Sequence, residues 1–337
     1  MNVSRIVKNY VRNKINISEH VYDYVYNKNI KEGIYSSELD NNVFRPDLMY
    51  YAFDWDDNIM YMPTKIMVLS ENEEEVPMST EDFAEHRQQI GVEPFNYKGT
   101  TVVGFAPNPF RYFREEGDNY FIIDSMSAPL GPAWNDFVEC INGGSIFAII
   151  TARGHNPQVL RDAIFNLIIS SKNGLNKKKL EESLRNYDLL KTTQLKEDDE
   201  ESNRFTEISD YLDMCKFHPV SFGSGSAASP EEGKNKALKE FISYCKEQAK
   251  ELITYILENN PNITLKDLTP KFKNNVTNEE MIDYIDLDEF INKNIKIGFS
   301  DDDERNIKAS SEFLNKEFEK NPVNLYLTKG GSKSKYE

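Results

Sequence analysis

The chain lacks the residues that would cross-link its segments through disulfides or a cysteine-bound metal. Its three cysteines, Cys140, Cys215 and Cys245, lie far apart and form no Cys-x-x-Cys pair. Neither a disulfide framework nor a zinc site is therefore indicated. No apolar run approaches the roughly 20 residues of a membrane-spanning helix, and the basic start has no apolar signal-peptide segment. We expect a soluble, cytoplasmic protein in a reducing compartment, with no membrane association.

Positive charge is also scarce in this sequence. The sequence contains 40 lysine and arginine residues and 56 aspartate and glutamate residues, which gives a net charge of −16. This balance opposes binding that neutralises many phosphates at once, so bulk nucleic-acid binding is not expected, although a small basic pocket is compatible with it. A chain of 337 residues can bury a full core, either as one large domain with insertions or as two domains.

Short apolar strands alternate with helical patterns in three parts of the chain, residues 47–60, 134–171 and 211–320. The runs "LMYYAFDW", "SIFAIIT", "CKFHPV" and "NIKIGFS" are typical of buried strands, and helical patterns lie between and after them. Such an alternation is typical of a parallel sheet covered by helices. The sequence therefore predicts an α/β fold whose core is a doubly wound, Rossmann-like parallel sheet.

Four other segments do not follow this alternation. Residues 61–133 contain the candidate strands "KIMVLS", "TTVVGFA" and "NYFIID" and a helix that begins after Ser79, so we expect a sizeable α+β insertion or cap. Residues 1–46 are polar and are expected to be an N-terminal extension that packs on the core. Residues 172–210 are predicted to be a polar linker or insertion, and residues 321–337 a disordered tail.

Polar, reactive residue types follow the ends of three predicted strands. They are Asp54 and Asp56, then Thr151, and then Asp301 and Asp302. Because the carboxyl ends of parallel strands lie on one edge of a sheet, where ligands bind, these residues could converge although they are far apart in the chain. Four carboxylates repel one another unless a cation lies among them, and their oxygens suit Mg²⁺. The pattern therefore indicates a magnesium site.

These strand ends resemble the motifs of the haloacid-dehalogenase superfamily of phosphotransferases. Its first motif is an apolar strand followed by Asp-x-Asp-x-(Thr/Val), which Asp54 and Asp56 match, whereas Asn58 stands at the last position. Its second motif, an apolar strand that ends in Thr or Ser, is matched by Phe147–Thr151. The sequence also departs from the family at Asp57, where a small residue is usual.

The third and fourth motifs of the family follow in the same order. The third is a lysine at the start of a helix, and "GKNKAL" is similar to the family's "KGxAL" form, which favours Lys234 but leaves Lys236 open. The fourth is an acidic pair after a strand, matched by Asp301 and Asp302. The resemblance thus extends over Leu48–Phe318.

The resemblance implies a chemical role for each matched residue. Asp54 would be the nucleophile that attacks phosphorus and forms an aspartyl-phosphate. Asp56 would protonate the leaving group and later activate water. Thr151 and Lys234 would hold the phosphoryl oxygens and neutralise their charge.

The resemblance also implies a Mg²⁺ cofactor. Asp54, the backbone carbonyl of Asp56, and Asp301 or Asp302 would hold the ion, which would bridge anions that otherwise repel. The segment 61–133 falls between the first two motifs, at the first of the two positions where the family carries a substrate-selecting cap.

Three further residues are predicted to contact the substrate. Asn58 can make the turn hydrogen bonds of the residue it replaces, and Arg153 and His155 follow Thr151 at the same sheet edge in "TARGH". Similar Thr-x-Arg turns occur in relatives that act on nucleotide or polynucleotide phosphates. The alternative for Arg153 is a turn residue that pairs with a local carboxylate.

We therefore expect a Mg²⁺-dependent phosphohydrolase that acts on a small phosphorylated substrate. One alternative is a binding or structural protein that keeps the fold, and the ion, with little turnover. Another is a polynucleotide-end or nucleotide phosphatase, which "TARGH" favours and the acidic charge opposes. A phosphomutase or phosphonatase would reuse the same nucleophile. A protein partner could bind through the extension and the insertions.

Overall fold

The computed structural model describes most of the chain from Leu48 onward. The described residues are 48–186, 208–222, 229–259, 264–266, 268, 286–318, 321–329 and 331–336. The predicted N-terminal extension over residues 1–46 lies outside them, as does the acidic part of the predicted linker, residues 187–207.

The described residues form strands and helices with the following bounds. The strands are β1 (Met49–Phe53), β2 (Ile66–Ser70), β3 (Glu75–Met78), β4 (Phe95–Tyr97), β5 (Thr100–Phe105), β6 (Phe147–Thr151), β7 (Lys216–Pro219), β8 (Lys296–Asp301), β9 (Val323–Leu327) and β10 (Ser334–Lys335). The helices are α1 (Thr80–His86), α2 (Asp118–Ser127), α3 (Trp134–Asn142), α4 (Pro157–Ile169), α5 (Lys177–Asn186), α6 (Pro230–Asn259), α7 (Leu287–Asn294) and α8 (Glu304–Glu317). Residues 208–214 are also helical.

A six-stranded sheet with the order β10-β9-β8-β1-β6-β7 forms the centre of the molecule. Every neighbouring pair in it is parallel except β9 and β10. The chain runs from β1 outward through β6 to β7, then crosses to β8 on the other side of β1 and continues to β9. Parallel neighbours need long crossover connections, and helices supply them here. The prediction of an α/β fold with a mostly parallel sheet is therefore confirmed.

The central sheet separates two apolar cores. On one face, Phe53, Phe147 and Ile149 pack in a cluster with residues of α3, α4 and α5. On the other face, Ala52 and Ile150 pack in a cluster with residues of α6, α7 and α8. Successive strand residues point to opposite faces, so a strand covered on both sides is apolar along its whole length. This explains the continuous apolar runs that the sequence shows in β1 and β6.

A second, four-stranded antiparallel sheet lies within residues 61–133, with the order β3-β2-β5-β4. It has a small apolar core of its own, formed by Val68, Met78, Ile90, Tyr97 and Val102. The predicted helix start is confirmed, because the Ser79 side chain accepts a hydrogen bond from Asp82 N and caps α1. We call residues 61–133 the insertion.

One predicted strand of the insertion is wrong. The run "NYFIID" lies within helix α2. The helix buries Phe121 and Ser125, which are one turn apart, and it packs against α4. A short apolar run does not distinguish a strand from a helix by itself, and the packing against α4 decided the outcome.

The C-terminal residues also differ from the prediction. The sequence predicted a disordered tail over residues 321–337, but β9 pairs with β8 and β10 pairs with β9. The side chains of Val323 and Leu325 are buried. The alternation of apolar and polar residues in "VNLYL" is a strand signal that the surrounding lysine, glycine and serine residues obscure.

Part of the predicted polar linker over residues 172–210 is folded as well. It contains α5, whose Leu180 and Leu184 lie four residues apart and are buried in the core. This spacing places both leucines on one face of a helix. Among the helices that the structure describes, none combines the length and the apolar character needed to cross a membrane.

Leu325→Ala tests the contribution of β9. Leu325 is 5% exposed, so removing its side chain leaves a cavity, and we expect the free energy of unfolding to fall by about 2–4 kcal/mol. Urea unfolding followed by circular dichroism measures this change. Lys335→Ala, on the exposed strand β10, serves as the control and should have little effect. Equal stability of Leu325→Ala and wild type would contradict the placement of β9.

Candidate active site

Three neighbouring strands, β8, β1 and β6, end at one edge of the central sheet. Asp54 directly follows β1, Thr151 is the last residue of β6, and Asp301 is the last residue of β8. The backbone N–H of Asp54 donates to Ser300 O at 2.9 Å, which joins the ends of β1 and β8. The sheet therefore brings together residues that the sequence separates by up to 247 positions (301 − 54).

A cluster of two buried carboxylates and one partly buried carboxylate lies at this edge. Asp54, Asp301 and Asp302 each offer one oxygen, and these oxygens lie within 4.8 Å of one another. Burial raises the pKa of Asp54 to about 7; Lys234 opposes this shift, and the Asp301 and Asp56 charges add to it. Burial and the neighbouring Asp301 also raise the pKa of Asp302 well above its usual value. The cluster thus holds more negative charge than its surroundings neutralise.

Lys234 is the basic residue that the structure brings to the cluster. It lies in the first part of α6 and is 2% exposed. Its Nζ donates to Asp301 Oδ2 at 2.7 Å and lies 3.2 Å from Asp54 Oδ1. Burial alone would lower the pKa of Lys234, but Asp301 and Asp54 outweigh it, so the pKa is raised and the ammonium is charged. Lys236, the other candidate, is exposed to solvent.

Asp301 and Asp302 differ in their partners. Asp301 Oδ1 accepts from the backbone N–H of Asp303 and from Asn306 Nδ2, both at 3.0 Å, while Oδ2 accepts from Lys234. Asp302 accepts no hydrogen bond from any residue in the described part of the chain. Asp54 Oδ1 lies in a side chain that is 6% exposed. It forms the ion pair with Lys234, but it accepts no hydrogen bond. These oxygens are hard donors of the kind that Mg²⁺ prefers, so the residues fit this ion.

Asp56 is bound by Arg153. The guanidinium Nε donates to Asp56 Oδ2 and Nη2 donates to Oδ1, both at 2.7 Å. Nη2 also donates to Thr64 Oγ1 at 2.9 Å. The Arg153 side chain is 1% exposed and that of Asp56 is 15% exposed. The sequence left open whether Arg153 contacts substrate or pairs with a local carboxylate, and in the structure it pairs with Asp56.

His155 connects Arg153 to the insertion. Its Nε2 lies 3.0 Å from Arg153 Nη1, and its Nδ1 lies 2.8 Å from Asp118 Oδ1. Arginine carries only donors, so Nε2 must accept and the ring proton lies on Nδ1, from which it is donated to Asp118. Burial and the Arg153 charge lower the pKa of His155, which favours this neutral form.

The other predicted site residues are packed against protein groups. Asn58 Nδ2 donates to Asp54 O and to both the carbonyl and the hydroxyl of Ser300, and its Oδ1 accepts from Thr328. Asn58 therefore ties the ends of β1 and β8 to the end of β9. Thr151 is fully buried, and its Oγ1 accepts from Arg153 N at 3.4 Å. Contact of Asn58, Arg153 or His155 with a substrate stays a prediction.

The insertion supplies residues to the site that the sequence did not identify. Besides Thr64 and Asp118, they include Thr80, whose hydroxyl donates to Asp57 Oδ2 at 2.6 Å, and Arg87, which pairs with Glu231 at 3.0 Å. Helix α1 therefore contacts the loop after β1 at one end and the start of α6 at the other. No local pattern marks these residues in the sequence, because each is a single side chain whose partner is distant.

Comparisons with protein-family models, curated proteins and solved structures found no match. The geometry of the strand ends, together with the motif resemblance, therefore carries the functional proposal.

Added Mg²⁺ is expected to stabilise the protein more at about pH 8 than at about pH 6. The ion binds the ionised carboxylates, and Asp54 loses its proton only near pH 7 because its pKa is raised. At a concentration on the order of 100 times Kd, binding adds about 2.7 kcal/mol to the unfolding free energy. Differential scanning fluorimetry with and without MgCl₂ measures this effect.

Asp302→Asn and Asp288→Asn are the matched variants for this prediction. Asp302 belongs to the cluster, whereas the Asp288 side chain is 67% exposed on α7 and pairs with Lys250. Asp302→Asn should lose most of the Mg²⁺-dependent rise in Tm, and Asp288→Asn should retain it. A rise that is the same in both variants would contradict the proposed ligands.

Asp57→Asn is expected to stabilise the metal-free protein at neutral pH. Burial raises the pKa of Asp57 to about 6 although the Thr80 hydroxyl opposes the shift. The folded state therefore binds this proton more tightly than the unfolded state, and stability falls as the pH rises from about 4 to about 6. Above that range, Asp57→Asn should unfold with a free energy about 1–2 kcal/mol higher.

Urea unfolding at a series of pH values measures the effect of Asp57→Asn. The difference from wild type should shrink as the pH falls and disappear below about pH 3, where the carboxyl is protonated in both the folded and the unfolded state. Asparagine also suits the backbone of this position, which has φ 53°. A constant difference at every pH would indicate a packing effect instead of an ionisation.

Proposed function

We propose that this protein is a Mg²⁺-dependent phosphohydrolase that cleaves a phosphomonoester through an aspartyl-phosphate intermediate. The observation that carries the proposal is the convergence of Asp54, Lys234, Asp301 and Asp302 at the ends of adjacent parallel strands. Paired carboxylates and a buried lysine at such an edge are suited to bind a phosphoryl group with a divalent ion. The order β9-β8-β1-β6-β7, with the cluster beside central β1, supports the resemblance to the haloacid-dehalogenase superfamily.

The first chemical step is attack by Asp54. Its carboxylate oxygen forms a bond to phosphorus, and the bond from phosphorus to the ester oxygen breaks. The leaving oxygen takes a proton from Asp56, so the alcohol departs neutral and the phosphoryl group stays on Asp54.

The second step returns the enzyme to its starting state. A water molecule attacks the phosphorus of the aspartyl-phosphate and gives a proton to Asp56, and the bond from phosphorus to the Asp54 oxygen breaks. Inorganic phosphate leaves, and Asp56 again carries the proton for the next leaving group. The same side chain thus serves as acid and then as base.

Charge neutralisation lets an anionic substrate approach these acids. Lys234, held between Asp54 and Asp301, supplies a fixed positive charge at the nucleophile. When bound, Mg²⁺ would supply further positive charge to the phosphoryl oxygens, held by Asp54, the carbonyl of Asp56 and Asp302. Asp302 is preferred to Asp301 because the Asp301 oxygens already accept hydrogen bonds from protein groups.

We further propose that the insertion is a cap that limits access to the site. It contacts the loop after β1 through Thr80, the loop after β6 through Asp118, and the start of α6 through Arg87. Such an enclosure favours a small phosphorylated substrate and excludes bulk water from the reacting groups.

The experiment is hydrolysis of p-nitrophenyl phosphate and of nucleotides with and without Mg²⁺, for wild type, Asp54→Asn and the exposed control Asp288→Asn. We expect Mg²⁺-dependent turnover in wild type and in the control. Asp54→Asn removes the nucleophile, so kcat/KM should fall on the order of 10³-fold or more. Turnover that is equal in wild type and Asp54→Asn would contradict the proposal.

Two other outcomes would point to the alternative functions. A Mg²⁺-dependent rise in Tm without turnover on any ester would favour a binding protein that keeps the fold and the ion. Turnover restricted to the phosphorylated ends of oligonucleotides, with binding that weakens as salt rises, would favour a polynucleotide-end phosphatase.

A further inference from the structure

The insertion supplies three of the contacts that hold the guanidinium of Arg153. Phe113 and Phe121 place their ring centroids 4.6 and 4.9 Å from its Cζ, and Thr64 accepts from Nη2 at 2.9 Å. All three residues belong to residues 61–133, whereas Arg153 follows β6 of the central sheet. Because Arg153 is 1% exposed, its position is set by these contacts together with those to Asp56 and His155, and not by solvent.

A further contact from the insertion reaches Arg153 through His155. Asp118, the first residue of α2, accepts from His155 Nδ1, and His155 Nε2 accepts from Arg153 Nη1. A chain of hydrogen bonds therefore runs from Asp118 through His155 and Arg153 to Asp56. A protonated His155 could not accept from Arg153 and would place two cations side by side, so the neutral ring is the form that completes the chain.

The backbone between Arg153 and His155 is also fixed by the insertion. The N–H of Gly154 donates to Phe113 O at 2.7 Å. A Cβ at Gly154 would lie only 2.7 Å from Ser221 O, so this close approach requires glycine. The side chains on either side of Gly154 therefore project from a backbone with little freedom.

We propose that Arg153, supported by Asp118 through His155, is a positioning residue through which the insertion orients the Asp56 carboxylate for phosphoryl transfer. Both Asp56 oxygens accept from Arg153 at 2.7 Å. Each oxygen keeps a second lone-pair direction, and Asp56 remains partly exposed while Arg153 is not. The inference rests on the proposed function, because the orientation of Asp56 affects a rate only if Asp56 takes part in the reaction.

If Arg153 positions Asp56, its replacement slows only the hydrolysis of esters whose leaving group needs a proton. A general loss of packing would slow the hydrolysis of every ester. Glycerol 2-phosphate releases an alkoxide that needs a proton from Asp56, but p-nitrophenyl phosphate releases a stable phenolate that does not. The ratio of kcat/KM for these two esters therefore reports on the placement of Asp56. General acid–base catalysis contributes about 10²–10⁴-fold, which sets the range of the expected change.

The experiment measures this ratio for wild type, Arg153→Lys and His155→Phe at saturating Mg²⁺. We expect kcat/KM on glycerol 2-phosphate to fall on the order of 100-fold, and that on p-nitrophenyl phosphate by less than about tenfold. The Mg²⁺ concentration for half-maximal activity should stay within about twofold of wild type, because the cluster ligands are unchanged. His155→Gln keeps an acceptor for Arg153 and should recover part of the loss.

Arg161→Lys is the matched control. Arg161 lies on α4 and makes a comparable set of contacts away from the site, donating to Asp213 Oδ1 and to the carbonyl and hydroxyl of Ser209. Its replacement removes an arginine network of similar extent, and the ratio of the two kcat/KM values should not change. A shift as large as that of Arg153→Lys would overturn the inference.

The remaining outcomes separate the two proposals. An equal loss on both esters in folded Arg153→Lys and His155→Phe, or no loss on either, overturns the positioning role and leaves the phosphohydrolase proposal standing. Wild type that hydrolyses neither ester overturns the proposed function, and the positioning role with it.

Asp118→Ala keeps the test decisive if the Arg153 or His155 variants do not fold. The Asp118 side chain is 25% exposed at the start of α2, so its removal leaves no buried cavity. We expect the ratio to shift in the same direction by about tenfold, the lower part of the range for proton transfer. An unchanged ratio in Asp118→Ala would overturn the support from the insertion.

Discussion

Three carboxylates and one buried lysine lie together at the edge of the central sheet, so negative charges outnumber positive ones when the carboxylates are ionised. The rest of the site depends on this imbalance of charge. Lys234 forms ion pairs with Asp54 and Asp301. Burial and the negative charges of Asp301 and Asp54 raise the pKa of Asp302. Burial raises the pKa of Asp54, and the neighbouring Asp301 and Asp56 charges raise it further, because Lys234 alone does not offset these effects. The uncompensated charge gives the site its capacity for a divalent ion. The other carboxylate oxygen of Asp301, Oδ1, accepts hydrogen bonds from Asp303 N and Asn306 Nδ2.

The insertion and the edge of the central sheet that carries the carboxylate cluster form one polar network. Arg153 lies between them, since it binds Asp56 on the side of the site and contacts Thr64, Phe113 and Phe121 of the insertion. A buried charge needs a partner and full hydrogen bonding. Asp56, in the loop after β1, is the partner of Arg153, and Thr64 of the insertion accepts a further hydrogen bond from it. In the proposed function, contacts between the insertion and Arg153 would affect the chemistry through Asp56, so the insertion would do more than limit access to the site.

The sequence predicted elements well where the deciding signal is local. The cap at Ser79 and the apolar runs of β1 and β6 follow from neighbouring residues, and the structure has them where expected. The predictions were wrong where distant packing decides. The run "NYFIID" is helical because Phe121 packs against the central domain. Strand β9 is ordered because it pairs with β8. Neither partner is visible in the local pattern.

By itself, the sequence determined that Asp54, Thr151 and Asp301 meet at one edge, because parallel strands place their carboxyl ends side by side. It also determined that hard oxygen ligands dominate there. Only the tertiary structure decided the choice of Lys234 over Lys236, the pairing of Arg153 with Asp56, and the part that the insertion plays. The physical reason is that a parallel sheet follows from the repeated alternation of strands and helices along the chain, whereas the partner of a single buried charge depends on which side chains the completed fold brings within reach.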